Sequence, residues 1–146
     1  LVNQMMTILR DPSFQSQTSP RALKPFRAAS RHTSELAFMT YNHIANKHKG
    51  LTDDQVKDIE KAKNAVIDYI SLDKDVLNSD YLNKKIEQGF DLKDTLNQIS
   101  KNQIKRIKKG ESKTRISMLF LNIISHFDEL VDDYIELLKS YRLNQE

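Results

Sequence analysis

The stretch Gln103–Tyr141, QIKRIKKGESKTRISMLFLNIISHFDELVDDYIELLKSY, decides how this chain folds. Its apolar residues Ile116, Leu119, Phe120, Ile123, Phe127, Leu130, Val131, Tyr134, Leu138 and Tyr141 recur in steps of three and four. That period belongs to a helix packed along its whole length. It predicts one helix from near Ser112 to about Leu143. Roughly 30 residues at about 1.5 Å each make a rod on the order of 45 Å. Only helices of similar length can cover such a rod, so an antiparallel bundle is expected.

Upstream of the rod the same period returns. Leu92, Leu96, Ile99, Gln103 and Ile107 predict a helix over 91–109, halted at Gly110. Residues 73–88 read as a further helix, with a break near Asn78, Ser79 and Asp80 and an end at Gly89. Thr52-Asp53-Asp54-Gln55 is a capping box, with Leu51 and Val56 placed as its hydrophobic staple. Val56, Ile59, Val66, Tyr69 and Ile70 carry that helix to about Leu72. Ala29, Leu36, Met39 and Ile44 give another, closed by His48-Lys49-Gly50. Ahead of it, Ser19-Pro20 reads as an N-cap followed by proline, and Pro25 delays the helix proper. Leu1–Leu9 suits a short helix stopped by Asp11-Pro12. The expected organisation is therefore a short helix and linker over 1–18, then one all-α antiparallel bundle of four to five long helices over 19–146.

The bulk composition narrows the function. The chain has 146 residues, enough to bury a core without staples. With no cysteine it has neither disulfides nor a thiolate metal site, which fits a reducing compartment. No apolar run approaches the roughly 18 residues that would span a bilayer, and no signal peptide is visible. The chain starts at Leu1, which suits a fragment of a larger protein. Net charge is +3, but residues 51–91 are acidic and both flanks mildly basic. A dedicated nucleic-acid binder is usually more lopsided, so no nucleic-acid partner is expected.

Two charge clusters stand out. Between Lys101 and Arg115 seven bases face one acid, Glu111. Within this run Lys105, Arg106, Lys109, Lys113 and Arg115 are the candidate anion- or partner-binding residues, at a helix C-terminus and the start of the next helix. Phosphate, an anionic lipid headgroup or an acidic partner would each suit them. No stacking aromatics are interleaved, as single-stranded nucleic acid would require. The second cluster is acidic. Asp128 and Asp132 stand four apart on one stripe at the edge of the apolar face, the spacing bundles use for carboxylate metal sites. Facing carboxylates or histidines would be needed too, and only Glu35, His32 and His43 offer themselves. No metal ion or other cofactor is expected. Catalysis is not expected either: the four histidines form no HExxH, and three glycines are too few for a P-loop or Rossmann pattern.

The wording of four segments adds to this reading: NKHKGLTDDQ at 46–55, QIKRIK at 103–108, TRISMLFLN at 114–122 and LLK at 137–139. In this combination, residues 41–141 resemble the PhoU-like helical domain that follows the membrane part of bacterial inorganic phosphate transporters of the PiT type. The likeness covers about two thirds of the chain. It implies a PhoU-like bundle acting as a regulatory or accessory domain, on the cytoplasmic side of the inner membrane. The implied partners are the transmembrane part of the parent transporter, with the membrane surface or phosphate at the basic junction. A homodimer through the long helices is compatible with the pattern. PhoU proteins carry an acidic E/D-xxx-D motif proposed to hold metal, and Asp128 and Asp132 match its spacing. The Arg-Ile-Gly usually found between those acids is here Glu129-Leu130-Val131, and Glu35 is followed four later by Met39. The alternatives are a free-standing helical adaptor and a carboxylate metal-binding regulator of the PhoU type.

Overall fold

The computed structural model describes residues 31, 50–70 and 78–145, and every regular element among them is helical. There are three: α1 (Asp53–Ile70), α2 (Ser79–Lys108) and α3 (Thr114–Gln145). The helix expected near residues 1–9, the one expected over 26–48 apart from residue 31, and the stretch 73–77 lie outside the described residues.

The capping box starts α1 as expected. Thr52 N donates to Gln55 Oε1 at 2.9 Å and Gln55 N donates to Thr52 Oγ1 at 3.3 Å. The buried face, however, is Gln55, Ala62, Val66, Tyr69 and Ile70. Val56, one residue round from Gln55, is 42% exposed, so it does not belong to the buried stripe it was expected to begin. The far end of α1 is capped by its neighbours. Lys85 Nζ donates to Tyr69 O at 2.7 Å and Tyr134 Oη donates to Ile70 O at 3.1 Å, satisfying carbonyls the helix cannot pair itself. Lys85 is buried over the Tyr69 ring, 5.3 Å from its centroid, and that burial lowers its pKa.

Asn78 caps α2, its Oδ1 accepting from Tyr81 N at 2.9 Å, so the break expected at 78–80 is a helix start. Gly89 does not end that helix. The two helices expected over 73–88 and 91–109 are one element of 30 residues through Gly89. The reason lies in packing, for a β-carbon there would stand 2.7 Å from Ile135 Cγ1 and would overlap the Tyr69 hydroxyl. At Gly89 the backbone of α2 lies close against side chains of both α1 and α3. Gly110 does end α2, with φ of 71°. Gly110 N donates to Ile107 O at 3.0 Å and Glu111 N to Arg106 O at 2.9 Å, the paired bonds of a Schellman turn.

Contacts fix the directions. Gln103 meets Ser117, Lys93 meets Asp128, and Asn83 meets Arg142, so α2 and α3 run antiparallel. Gln55 meets Gln103 while Tyr69 meets Lys85, so α1 is antiparallel to α2 as well. The core between them holds Leu82, Leu96, Phe120, Leu130 and Tyr134, each at most 1% exposed, with Tyr69 and Tyr134 edge to face at 5.2 Å. Of the stripe expected on α3, the residues from Phe120 to Leu138 are buried, Ile116 and Leu119 are half-buried, and the Tyr141 side chain lies outside the described set. On α2 the expected stripe fails at its C-terminal end. Ile104 and Ile107 are 43% and 36% exposed.

Candidate functional site at the α2–α3 corner

Where α2 turns into α3, the core changes from apolar to polar. Gln55 and Gln103 are wholly buried there, as is Ser117. Gln55 Nε2 donates to Gln103 Oε1 at 3.2 Å and to Ser112 Oγ at 2.9 Å. Gln103 Nε2 donates to Ser117 Oγ at 3.1 Å and Ser112 Oγ at 3.3 Å. Ser117 Oγ donates to Lys113 O at 2.9 Å, which commits its only proton. Ser112 is therefore the donor in the 2.7 Å contact between the two serines. Arg106 closes the set, donating to Gln103 Oε1 at 3.1 Å and to Asp58 Oδ2 at 2.8 Å. These bonds tie α1, α2, the Gly110 turn and α3 together. Buried polar groups that satisfy one another in this way specify one arrangement, because any slip leaves several of them unpaired.

This network sorts the basic cluster. Arg106 is half-buried and belongs to the frame rather than to a free surface. Lys105, Lys109, Lys113 and Arg115 are exposed, Lys109 with Glu111 at 3.9 Å. They do not converge. Counting about 100° per residue from the touching pair Gln103 and Ser117, Lys105 points away from α3 and Arg115 points away from α2. The corner thus carries bases on both outer sides, an arrangement suited to an extended anionic surface rather than to one enclosed anion.

The acidic pair has another use. Asp128 and Asp132 of α3 both face Lys93 of α2, with Nζ to Asp128 Oδ2 at 3.1 Å and an ion pair to Asp132. Partial burial disfavours the Lys93 ammonium, but the hydrogen bonds and charges of Asp132 and Asp128 outweigh it and raise the pKa above 10.5. Beside this clamp an open groove of about 350 Å³ runs along α2 and α3, floored by Leu96 and Ile124 and edged by Asn97, Ser100 and Ser125. Among the described residues no three or more histidines or acids gather as metal ligands, and Glu35, His32 and His43 lie outside that set.

Lys93→Met is expected to cost about 1 kcal/mol at neutral pH, since the pair is half-exposed. A base whose folded pKa is raised stabilises fully below its ordinary value of 10.5 and loses that contribution as pH climbs through the folded value. Urea unfolding of both forms should therefore show a gap at pH 7 that narrows above pH 10.5. A gap that widens with pH would contradict the clamp.

Sequence reasoning missed Gln55, Gln103, Ser112 and Ser117 as a unit. One signal was available: Gln103 occupies a position of the apolar stripe that runs through Leu96 and Ile99.

No known protein family matches this chain, and neither a curated protein nor a solved structure shows a match to it. No helix among the described residues is long and apolar enough to cross a membrane.

Proposed function

We propose that this chain is a non-catalytic, PhoU-like regulatory or accessory domain of a bacterial PiT-type phosphate transporter, acting at the cytoplasmic face of the inner membrane. On this reading the three described helices belong to an antiparallel bundle of four to five. The observation that carries the proposal is what the resembling segments do at the corner. Thr52 and Gln55 come from the first segment, Gln103 and Arg106 from the second, and Ser117 from the third. All five join in one network centred on the buried Gln55, Gln103 and Ser117, so the shared wording supplies a structural lock rather than scattered surface identity. The lock holds Lys105, Lys109, Lys113 and Arg115 outward, ready for an anionic partner next to a transport unit. Asp128 and Asp132 are engaged with Lys93, which supports a role without a resident metal.

Reversing Lys105, Lys109, Lys113 and Arg115 to glutamate in the encoding gene should change cellular phosphate uptake severalfold at unchanged abundance of the protein. Arg106 is left alone, because its reversal would place a second carboxylate against Asp58. Uptake that is indifferent to all four changes would remove the transporter reading.

A further inference from the structure

The corner exposes more than charge. Ile104, Ile107 and Met118 are 43%, 36% and 55% exposed, large apolar side chains on the last two turns of α2 and the early part of α3, on either side of Gly110. Because α2 and α3 are antiparallel and touch through Gln103 and Ser117, one further residue on each helix turns to the same side of the hairpin. Ile104 and Met118 therefore project together, on the side opposite Arg106 and Asp58, with Ile107 between them and nearer the tip. The groove confirms this side further along, where Asn97 and Ser100 of α2 share one hollow with Ser125 and Asp128 of α3.

Charge surrounds the apolar triplet. Lys101 and Lys108 flank it on the α2 side and Arg115 on the α3 side, with Lys105, Lys109 and Lys113 around the rest of the tip. From Lys101 to Met118 the only acid is Glu111. We propose that this tip inserts into an anionic lipid leaflet, Ile104, Ile107 and Met118 sinking among the acyl chain ends while the surrounding bases pair with headgroups. An apolar cluster ringed by lysine and arginine is how peripheral helices bind membranes, apolar burial and headgroup attraction each adding to affinity. An acidic protein surface would use the bases but would leave three protruding apolar groups without a matching environment. A free phosphate would use neither the apolar groups nor bases on opposite sides of the hairpin. The inference deepens the proposed function, resting on it only for the membrane's presence nearby.

The test exploits the absence of cysteine, which lets one dye report one position. The 146-residue chain carrying Met118→Cys is labelled with an environment-sensitive fluorophore, and Glu87→Cys, exposed at the far end of α2, is the control. With vesicles of mixed phosphatidylcholine and phosphatidylglycerol, emission should shift to the blue at position 118 and not at 87. Pure phosphatidylcholine should leave both unchanged. Ile104→Ser with Met118→Ser should weaken vesicle co-sedimentation roughly tenfold at physiological salt, with helicity and melting retained. Lys105, Lys109, Lys113 and Arg115 reversed together should abolish it.

Sedimentation without a blue shift at 118 would overturn insertion. Release of the chain by inorganic phosphate but not by sulfate at equal ionic strength would reassign the corner to free phosphate. Absence of vesicle binding, with charge-dependent binding to polyglutamate, would reassign it to an acidic protein surface. If uptake responds to charge reversal while vesicles are ignored, the membrane inference falls and the transporter reading stands. Insertion without any effect on uptake gives the converse.

Discussion

Gly89→Leu is expected to destabilise the fold by about 3 kcal/mol or more, enough to move thermal unfolding by on the order of 10 °C. At an exposed helical position the exchange would help, since glycine costs roughly 1 kcal/mol against better helix formers. Here the first added carbon already meets Ile135 Cγ1 at 2.7 Å and Cδ1 at 2.8 Å, and overlaps the Tyr69 hydroxyl. Neither neighbour can swing aside. Ile135 is 2% exposed, and the Tyr69 ring is fixed between Lys85 and Tyr134. The remaining leucine atoms would have to force α2 away from α1 and α3. A smaller step isolates the cause. Gly89→Ala alone should lose about 1–2 kcal/mol, overpacking exceeding the gain in helix propensity. Tyr69→Phe removes one of the atoms in the way, and also a buried hydroxyl that has no hydrogen-bond partner among the described residues. It should be close to neutral alone and should recover much of the alanine loss in the double variant, a coupling readable from a double-mutant cycle. Additive losses in denaturant melts would show that the close approach at Gly89 is not what the substitution disturbs.

Gln103→Leu should cost about 2–3 kcal/mol, although leucine suits the apolar stripe on which residue 103 sits. The amide is the hub of the corner. Its loss removes the acceptor of Gln55 Nε2 and Arg106 Nη1, and the donor to both serines. Buried groups left unpaired bear their full desolvation cost, whereas Ser112 and Arg106 are only half-buried and recover part of theirs from water. That mixture sets the magnitude below a complete core deletion. Amide exchange should rise at Ser117 and through the first turn of α3, with the Lys93 end of the hairpin unaffected. A variant as stable as the parent would mean that the polar corner contributes little specificity.

Much of this architecture was legible in the pattern of residues. The period from Ile116 to Leu138 marks α3, Thr52 and Gln55 mark the start of α1, and Gly110 marks the corner. Each of these signals is local. A capping box satisfies its own amides, and a glycine at positive φ needs nothing from afar. Gly89 shows where local reading stops. Its chemistry suggests a helix end, but its role is set by Tyr69 and Ile135, residues 20 and 46 positions away. Asp128 and Asp132 show the same limit. Their spacing offers a site for a cation, and only the register of α2 against α3 makes that cation Lys93.

The candidate site divides likewise. The five candidate bases Lys105, Arg106, Lys109, Lys113 and Arg115 are evident as composition, but composition makes them equivalent. Tertiary contact separates them, drawing Arg106 inward to Asp58 and leaving the other four outside. It also reverses the expectation for Ile107, which keeps the helical spacing of Leu96, Ile99 and Gln103 yet is 36% exposed.

By itself, then, the sequence determined that this chain is helical, where α1 and α3 begin, and that bases crowd the turn at Gly110. Periodicity, capping and backbone conformation depend on neighbours within about four residues. The continuity of α2 through Gly89, the polar lock around Gln103, the lysine held by Asp128 and Asp132, and the apolar triplet beside the bases were decided only in the tertiary structure. Each depends on which faces of two antiparallel helices meet, and a difference of one residue, about 100° of rotation, is enough to turn a buried side chain out to solvent.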